Sequence, residues 1–418
     1  MKSSILIKKK DKFFVEDVCI DSIIENFSTP TYIYSKRRIE DNFKNLESAF
    51  KNVDHLICFA VKANSNLAIL NLLAKNGAGF DIVSGGELRR VIAADGDPKK
   101  IVFSGVGKTS EEIKLAIENN ILAFNIESED ELTRIQEIAK SLSKQASISI
   151  RVNPDVNANT HPYISTGLKE NKFGVSEESA LNLYKKAKTM DSILIKGIDC
   201  HIGSQITDLK PFEDSVKKLI ALIDKLEIEG INIEHIDIGG GIGISYEDEK
   251  AIPFDDYAKA VITLTKGRDL KILLEPGRVI MADAGAILTK VEYVKKTQDK
   301  NFAIIDAAMN DLMRPSLYGA FHKIVNTSET TDKESVFDIV GPICETGDFI
   351  GKDRVIRIEP NNILVIMDTG AYAMSMSSNY NTRPRLYELM IDKAKTHIIR
   401  EKETFDHLIK GEKVLPES

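Results

Sequence analysis

From about Tyr32 to Arg278, short apolar runs alternate with longer, charge-rich stretches of helical period, the pattern of repeated strand-helix units. Eight runs read as strands: residues 56–61, 80–83, 101–103, 123–126, 148–152, 197–202, 235–238 and 272–274. Stretches such as 110–119 and 127–142 lie between them, with apolar residues recurring every three or four positions, and so predict helices. Eight strands with intervening helices predict a closed (β/α)8 TIM-type barrel rather than an open sheet. After Gly285 the runs become denser and strand-like, at 286–294, 302–305, 355–358 and 363–367, with turn residues between. The first thirty residues share that texture. The expected organisation is a barrel over 31–284 and a second, mostly β domain made from 1–30 and 285–418, with the N-terminal strand pairing with the C-terminal part.

Composition narrows the class of partner. The 418 residues are 43% hydrophobic and 28% charged, ordinary globular usage that excludes a disordered or collagen-like chain. A net charge of −7 with no long basic run argues against nucleic acid and for a small molecule. No stretch of 18 apolar residues exists, so no membrane partner is expected. Residues 1–14 are basic but lack the apolar run of a secretory signal, which points to the cytoplasm. Cys19, Cys58, Cys200 and Cys344 form no close pair, which fits neither a disulfide framework nor a zinc site. Reduced thiols and no metal are expected.

The unusual residues cluster at strand ends. Lys62-Ala63-Asn64, Ser84-Gly85-Gly86, Ser104-Gly105, Asn153-Pro154, His201-Ile202-Gly203-Ser204-Gln205, Gly239-Gly240-Gly241 and Glu275-Pro276-Gly277-Arg278 each follow a strand candidate. In a barrel those ends converge on the face where active sites are built. Two glycine patterns invite a nucleotide reading and fail it. Gly105-Val106-Gly107-Lys108-Thr109 resembles the end of a P-loop, but Val102 stands where the first glycine belongs. The run Gly239-Gly240-Gly241-Ile242-Gly243 lacks the third fingerprint glycine and continues into a loop through Pro253. Three successive glycines can still cradle a phosphate with their backbone N–H groups, or simply form a tight turn.

Lys62, at the end of an apolar strand, is placed to project into the barrel mouth. It reads either as a buried ion-pair member or as a desolvated Schiff-base nucleophile. Glu275 and Asp81 end strands in the same way. A carboxylate facing a pyridinium nitrogen keeps it protonated and makes a pyridoxal ring an electron sink. Lysine, carboxylate and phosphate cradle together describe a pyridoxal 5'-phosphate site.

These residues carry a resemblance. Ala60-Val61-Lys62-Ala63-Asn64, His201-Ile202-Gly203-Ser204-Gln205, Gly239-Gly240-Gly241 and Glu275-Pro276-Gly277-Arg278 resemble the motifs of the pyridoxal-phosphate enzymes with the alanine racemase and ornithine decarboxylase fold. Arg314-Pro315-Ser316-Leu317-Tyr318 and Cys344-Glu345-Thr346-Gly347-Asp348 look like the versions found in the diaminopimelate decarboxylase family. The likeness runs in order from Thr31-Tyr32-Ile33-Tyr34 to Asn381-Thr382-Arg383-Pro384-Arg385. Phe59, where tyrosine is common, and Thr346, where serine is common, depart from the pattern.

The resemblance implies roles. Lys62 would hold the cofactor and His201 would stack on its ring, with Glu275 at the ring nitrogen. Ser204, Gly240, Gly241, Gly277 and the backbone through Arg278 would hold the phosphate, with a hydroxyl from Tyr372. Arg278, Arg314, Tyr318, Glu345 and Tyr372 would bind the substrate's distal head, where guanidinium forks suit a carboxylate and Glu345 an ammonium. Cys344 would supply a proton across a homodimer with shared active sites. The implied reaction converts meso-2,6-diaminopimelate to L-lysine and CO2, the last step of lysine biosynthesis. The alternatives are a decarboxylase of ornithine, lysine, arginine or carboxynorspermidine on the same fold, or a non-catalytic cofactor-binding regulatory protein. His55, His235, His322, His397 and His407 stand alone in sequence, and His161 lies in a loop ahead of Lys172-Phe173-Gly174.

Overall fold

The computed structural model describes residues 5–156 and 172–417. The chain divides into two compact units, one of residues 40–245 and 249–280, the other of residues 1–39, 246–248 and 281–418.

The first unit is the barrel. Its strands are His55–Ala60, Gly79–Ile82, Ile101–Phe103, Ala123–Ile126, Ala146–Arg151, Ile193–Asp199, His235–Asp237 and Lys271–Leu274, all pairing parallel in chain order, with the last closing on the first. All eight strand candidates are present, displaced by a few residues at most. Helix starts follow local chemistry. Ser84 accepts from the backbone of Glu87, Ser128 from that of Glu131, and Thr109 forms a capping box with Glu112, satisfying donors that a first helical turn leaves open. Alternate residues of each strand share a face. Gly197 pairs with His235 and Asp199 with Asp237 in register, so small and acidic residues stack in layers. Gly197 leaves room for its neighbour, because a Cβ there would lie 2.0 Å from His235 Nε2.

The second unit holds a nine-stranded mixed sheet. Its long central strand, Gly285–Lys296, pairs antiparallel with Asn301–Ile305, Ile363–Ile366 and Thr31–Ser35. Thr31–Ser35 also pairs parallel with Tyr387–Asp392. The division at residues 39/40 and 280/281 therefore differs from the expected 30/31 and 284/285, because the strand that joins the C-terminal sheet is Thr31–Ser35. The earlier strands Leu6–Lys9, Lys12–Val15 and Val18–Cys19 form a separate antiparallel sheet within the same unit. Their buried side chains Val15 and Val18 join Ile33, Leu288, Val365 and Leu389 in one apolar cluster. Among the described residues no helix is long and apolar enough to cross a membrane.

Candidate active site

Lys62 sits in a short 3-10 turn, Val61–Ala63, directly after the first barrel strand. Its Nζ donates to Asp81 Oδ2 on the neighbouring strand. Of the two readings the structure shows the ion pair, although the lysine side chain keeps 37% of its exposure and so is not buried, whereas Asp81 has none. Asp81 fixes the position of that Nζ. Glu87, which sequence reasoning passed over, lies on the helix that follows Asp81. It accepts from Val83 N at 2.7 Å, and burial pushes its pKa up to about 7.

Glu275 ends the eighth strand. Its Oε1 accepts from Ser104 Oγ and Asn125 Nδ2, each at 3.3 Å. Oxygens of Glu275, Asp237 and Asp199 all lie within 4.8 Å of one another, and all three side chains are buried. Burial first, and then the charges of Asp237, Asp81 and Asp199, hold the Glu275 carboxyl well above the usual range. Burial likewise raises Asp237 to about 7. Desolvation penalises the charged form of every member. Among the described residues, Asp81 Oδ1, Asp199 Oδ1 and Asp237 Oδ2 find no hydrogen-bond donor. A cationic ring nitrogen carrying its own proton suits Glu275 in these surroundings.

The glycine run is built for close approach. A Cβ at Gly240 would lie 2.1 Å from the Glu275 carbonyl oxygen, and one at Gly241 2.4 Å from that of Gly203. Its N–H groups are not all aimed outward, which corrects the simple cradle. Gly239 N donates to Asp237 Oδ1 at 2.9 Å and Gly240 N to His201 Nδ1 at 3.2 Å. His201 is thereby fixed as an acceptor at Nδ1, and burial, with Arg151 and Lys62 nearby in charge, keeps its imidazole well below its usual pKa and neutral. Arg278 Nη2 donates to Ser204 Oγ at 2.9 Å, bringing a cation and a hydroxyl together beside the glycines. That donor set fits a phosphate dianion, and with Lys62 and Glu275 the residues fit pyridoxal phosphate. The other glycine pattern is structural, because Lys108 Nζ is consumed by Gly105 O, Asn125 O and Glu131 Oε1 at 2.6–2.8 Å.

In the sheet unit two sequence motifs meet. The helix Arg314–Tyr318 is tied to the Cys344-Glu345 loop by Ser316 Oγ, which donates to Gly347 O at 2.6 Å. Buried Asp348 shapes that loop by accepting from Ile343 N and Met309 N, both at 2.7 Å. Cys344 is exposed. Sequence reasoning missed the brace across it. Tyr380 Oη donates to Glu345 Oε1, and Cys344 N donates to Asn381 Oδ1 at 3.0 Å. Tyr372 is half-buried and adopts a left-handed φ of 56°, a conformation bulky residues rarely hold without a functional reason. Tyr318 closes the short helix, ahead of Gly319 with φ 61°. His322 leaves the class of solitary histidines, since it contacts Arg314. His235, which also stands alone in sequence, bonds Ser149 Oγ at 2.8 Å. His161 falls outside the described residues.

A parallel barrel with a lysine, a buried carboxyl and a phosphate-type donor set at its strand ends defines a pyridoxal-phosphate enzyme. The family model for the pyridoxal-dependent decarboxylase, pyridoxal binding domain, matches residues 36–282. The chain is 52% identical over 407 residues to a diaminopimelate decarboxylase of Pseudomonas fluorescens, covering 97% of this chain and 98% of that one. It is also similar to the crystal structure of diaminopimelate decarboxylase from Helicobacter pylori complexed with L-lysine, with a TM-score of 0.91, 45% identity, and 93% of this chain and 98% of that chain covered. The enzyme from M. jannaschii in complex with L-lysine gives a TM-score of 0.93 at 41% identity, covering 98% of each chain. The chain belongs to the diaminopimelate decarboxylase family of pyridoxal-phosphate-dependent decarboxylases.

Proposed function

We propose that the protein decarboxylates meso-2,6-diaminopimelate to L-lysine, using pyridoxal phosphate, and that it does so in the cytoplasm, where its four free cysteines stay reduced. One observation carries the substrate assignment: the Ser316 bond that holds the arginine-bearing helix to the loop bearing Glu345 and Cys344. A cation and an anion held on one small frame suit the amino acid group at the far end of a substrate that has two such groups.

When bound, pyridoxal phosphate supplies a sink for the electron pair released as the substrate's C–C bond to its carboxylate breaks. Lys62 holds the cofactor covalently through Nζ, and Asp81 keeps that nitrogen aimed into the mouth. Glu275 holds the proton at the ring nitrogen, with Ser104 and Asn125 fixing its orientation. His201, held by the Gly240 N–H, would meet the ring as a neutral imidazole. Ser204, Arg278, Gly241, Gly277 and the Tyr372 hydroxyl would hold the phosphate, with Gly240, its N–H given to His201, only leaving room for the close approach. Arg278, Arg314, Tyr318, Glu345 and Tyr372 bind and orient the distal head. Cys344 Sγ holds the proton that replaces the lost carboxylate as CO2 departs. We further propose that Cys344 and Glu345 serve the barrel of a second copy in a homodimer, which the exposure of Cys344 in the single chain supports.

The test is CO2 release by the cofactor-loaded protein. Release from meso-diaminopimelate, with none from ornithine, lysine, arginine or carboxynorspermidine and none in Lys62→Ala, is expected. Equal turnover of ornithine, or full activity in Lys62→Ala, refutes the assignment. Mixing Lys62→Ala with Cys344→Ala under proven subunit exchange should restore about a quarter of wild-type activity, because half the dimers are mixed and each holds one intact site. No restoration refutes the shared site.

A further inference from the structure

Arg314 is buried, and its guanidinium is held on two sides. Nη1 lies 2.8 Å from His322 Nε2, and the Tyr246 ring faces the guanidinium carbon with its centroid 4.6 Å away. Tyr246 also meets His322 edge-on, with ring centroids 5.4 Å apart and planes at 72°. On its other side His322 Nδ1 lies 2.8 Å from Met367 O. That carbonyl is a firm anchor, since Met367 directly follows the strand Ile363–Ile366 and its own N–H donates to Lys323 O at 2.8 Å.

These contacts settle the imidazole's proton. A guanidinium has only donors, so Nε2 must offer a lone pair, and a carbonyl has only lone pairs, so Nδ1 must carry the hydrogen. His322 is therefore neutral, in a single tautomer, and its own side chain has no solvent exposure. An imidazolium would set two donors and two positive charges against each other at hydrogen-bond distance. The ring serves as a spacer between the sheet backbone and the guanidinium. Because the five N–H donors of an arginine form a rigid planar fork, fixing one nitrogen and one face fixes the plane in which the fork meets a ligand.

We propose that His322, with Tyr246, is a positioning residue that sets the plane of Arg314 for two parallel hydrogen bonds to the substrate's distal carboxylate. The proposal rests on the reading of Arg314 as a substrate ligand and adds to it the group that orients that ligand. A guanidinium free to turn still carries its charge but loses the paired geometry. Binding of the ground state and of the transition state then weakens equally, and the loss appears in KM.

The experiment compares His322→Phe, which keeps the ring's volume and removes the acceptor, with His322→Gln, whose amide oxygen can accept from Arg314. In the cofactor-loaded enzyme, His322→Phe should raise KM for meso-diaminopimelate by at least about tenfold while kcat stays within about threefold. His322→Gln should recover most of that loss. Arg314→Ala/His322→Phe should be no worse than Arg314→Ala, since an orienting group has no effect once its target is gone. A normal KM in His322→Phe beside an impaired Arg314→Ala overturns the positioning role, as does additivity in the double variant. A normal Arg314→Ala overturns the substrate-ligand reading instead. Wild-type holoenzyme with 15N-labelled histidine gives a readout that needs no variant to fold. Its His322 signals should show a bare Nε2 and a protonated Nδ1 at pH 7, and the opposite tautomer or an imidazolium refutes the proposal.

Discussion

Replacing Gly240 with alanine tests the glycine run directly. Gly240 has no left-handed φ, so the penalty is one of space alone. The added Cβ would stand 2.1 Å from the carbonyl oxygen of Glu275, against the 3.0 Å that real Cβ atoms keep. One backbone must therefore retreat by about 1 Å, and overpacking of this kind costs about 1–3 kcal/mol. Neither side yields easily. Glu275 N is bonded to Gly239 O at 2.8 Å, and Gly240 N to His201 Nδ1 at 3.2 Å, so a retreat of Gly240 forfeits a further net hydrogen bond of about 1 kcal/mol. The strain has two outlets. If the run holds its place, the apo protein loses stability; if it moves, the phosphate site is re-aimed and cofactor affinity falls. At about 1.4 kcal/mol per decade, a loss of about 2–4 kcal/mol taken wholly in binding weakens the cofactor roughly thirty- to several-hundredfold. Cofactor titration by absorbance, with thermal melting of the apo and loaded forms, measures both outlets. Gly107→Ala is the control, because a Cβ there meets nothing within 4 Å among the described residues, and it should match wild type in both assays. Wild-type affinity together with wild-type apo stability in Gly240→Ala would refute the close-approach argument.

Burial, with the charges of Lys196 and Lys271, lowers the His235 pKa from 6.5 to about 4. The unfolded chain therefore takes up this proton first, so the stability contributed is present above pH 6.5 and lost as pH falls towards 4. At about 1.4 kcal/mol per pKa unit the loss reaches roughly 3 kcal/mol, and urea unfolding of wild type minus His235→Gln should show it, while a flat difference contradicts it. Tyr380→Phe releases Glu345 from its brace and should raise KM for meso-diaminopimelate by a few-fold to about tenfold, with little change in thermal melting because Tyr380 is exposed. An unchanged KM would mean that the brace has no part in substrate binding.

Where the chain's own periodicity carries the information, sequence and structure agree. The eight barrel strands and the crowding of glycine, lysine and acidic residues at their ends were legible because strand alternation and helical spacing are local properties, and because a parallel barrel sends every such end to one face. The P-loop decoy was excluded by a missing glycine, and Lys108 confirms it by spending its ammonium on three internal oxygens. The expected boundary at 30/31 placed residues 31–35 with the barrel for a physical reason: all five residues are buried, and a run buried on both faces fits a barrel stave and the middle of a mixed sheet equally well.

By itself the sequence determined which residue types stand at which strand ends, and hence the cofactor chemistry, since a lysine, a carboxylate and closely spaced glycines keep their meaning in any barrel of this order. Only the tertiary structure decided how those groups are aimed. It turned two of the three glycine N–H groups inward to Asp237 and His201, set Glu275 beside buried Asp237 and Asp199, braced Glu345 with Tyr380 from 35 residues away, and set His322 between Arg314 and Met367. Hydrogen-bond direction, protonation and tautomer depend on distances of a few ångströms between residues far apart in the chain. Local pattern holds no record of such distances, so the charge on His201 and the plane of Arg314 could be read only from the folded chain.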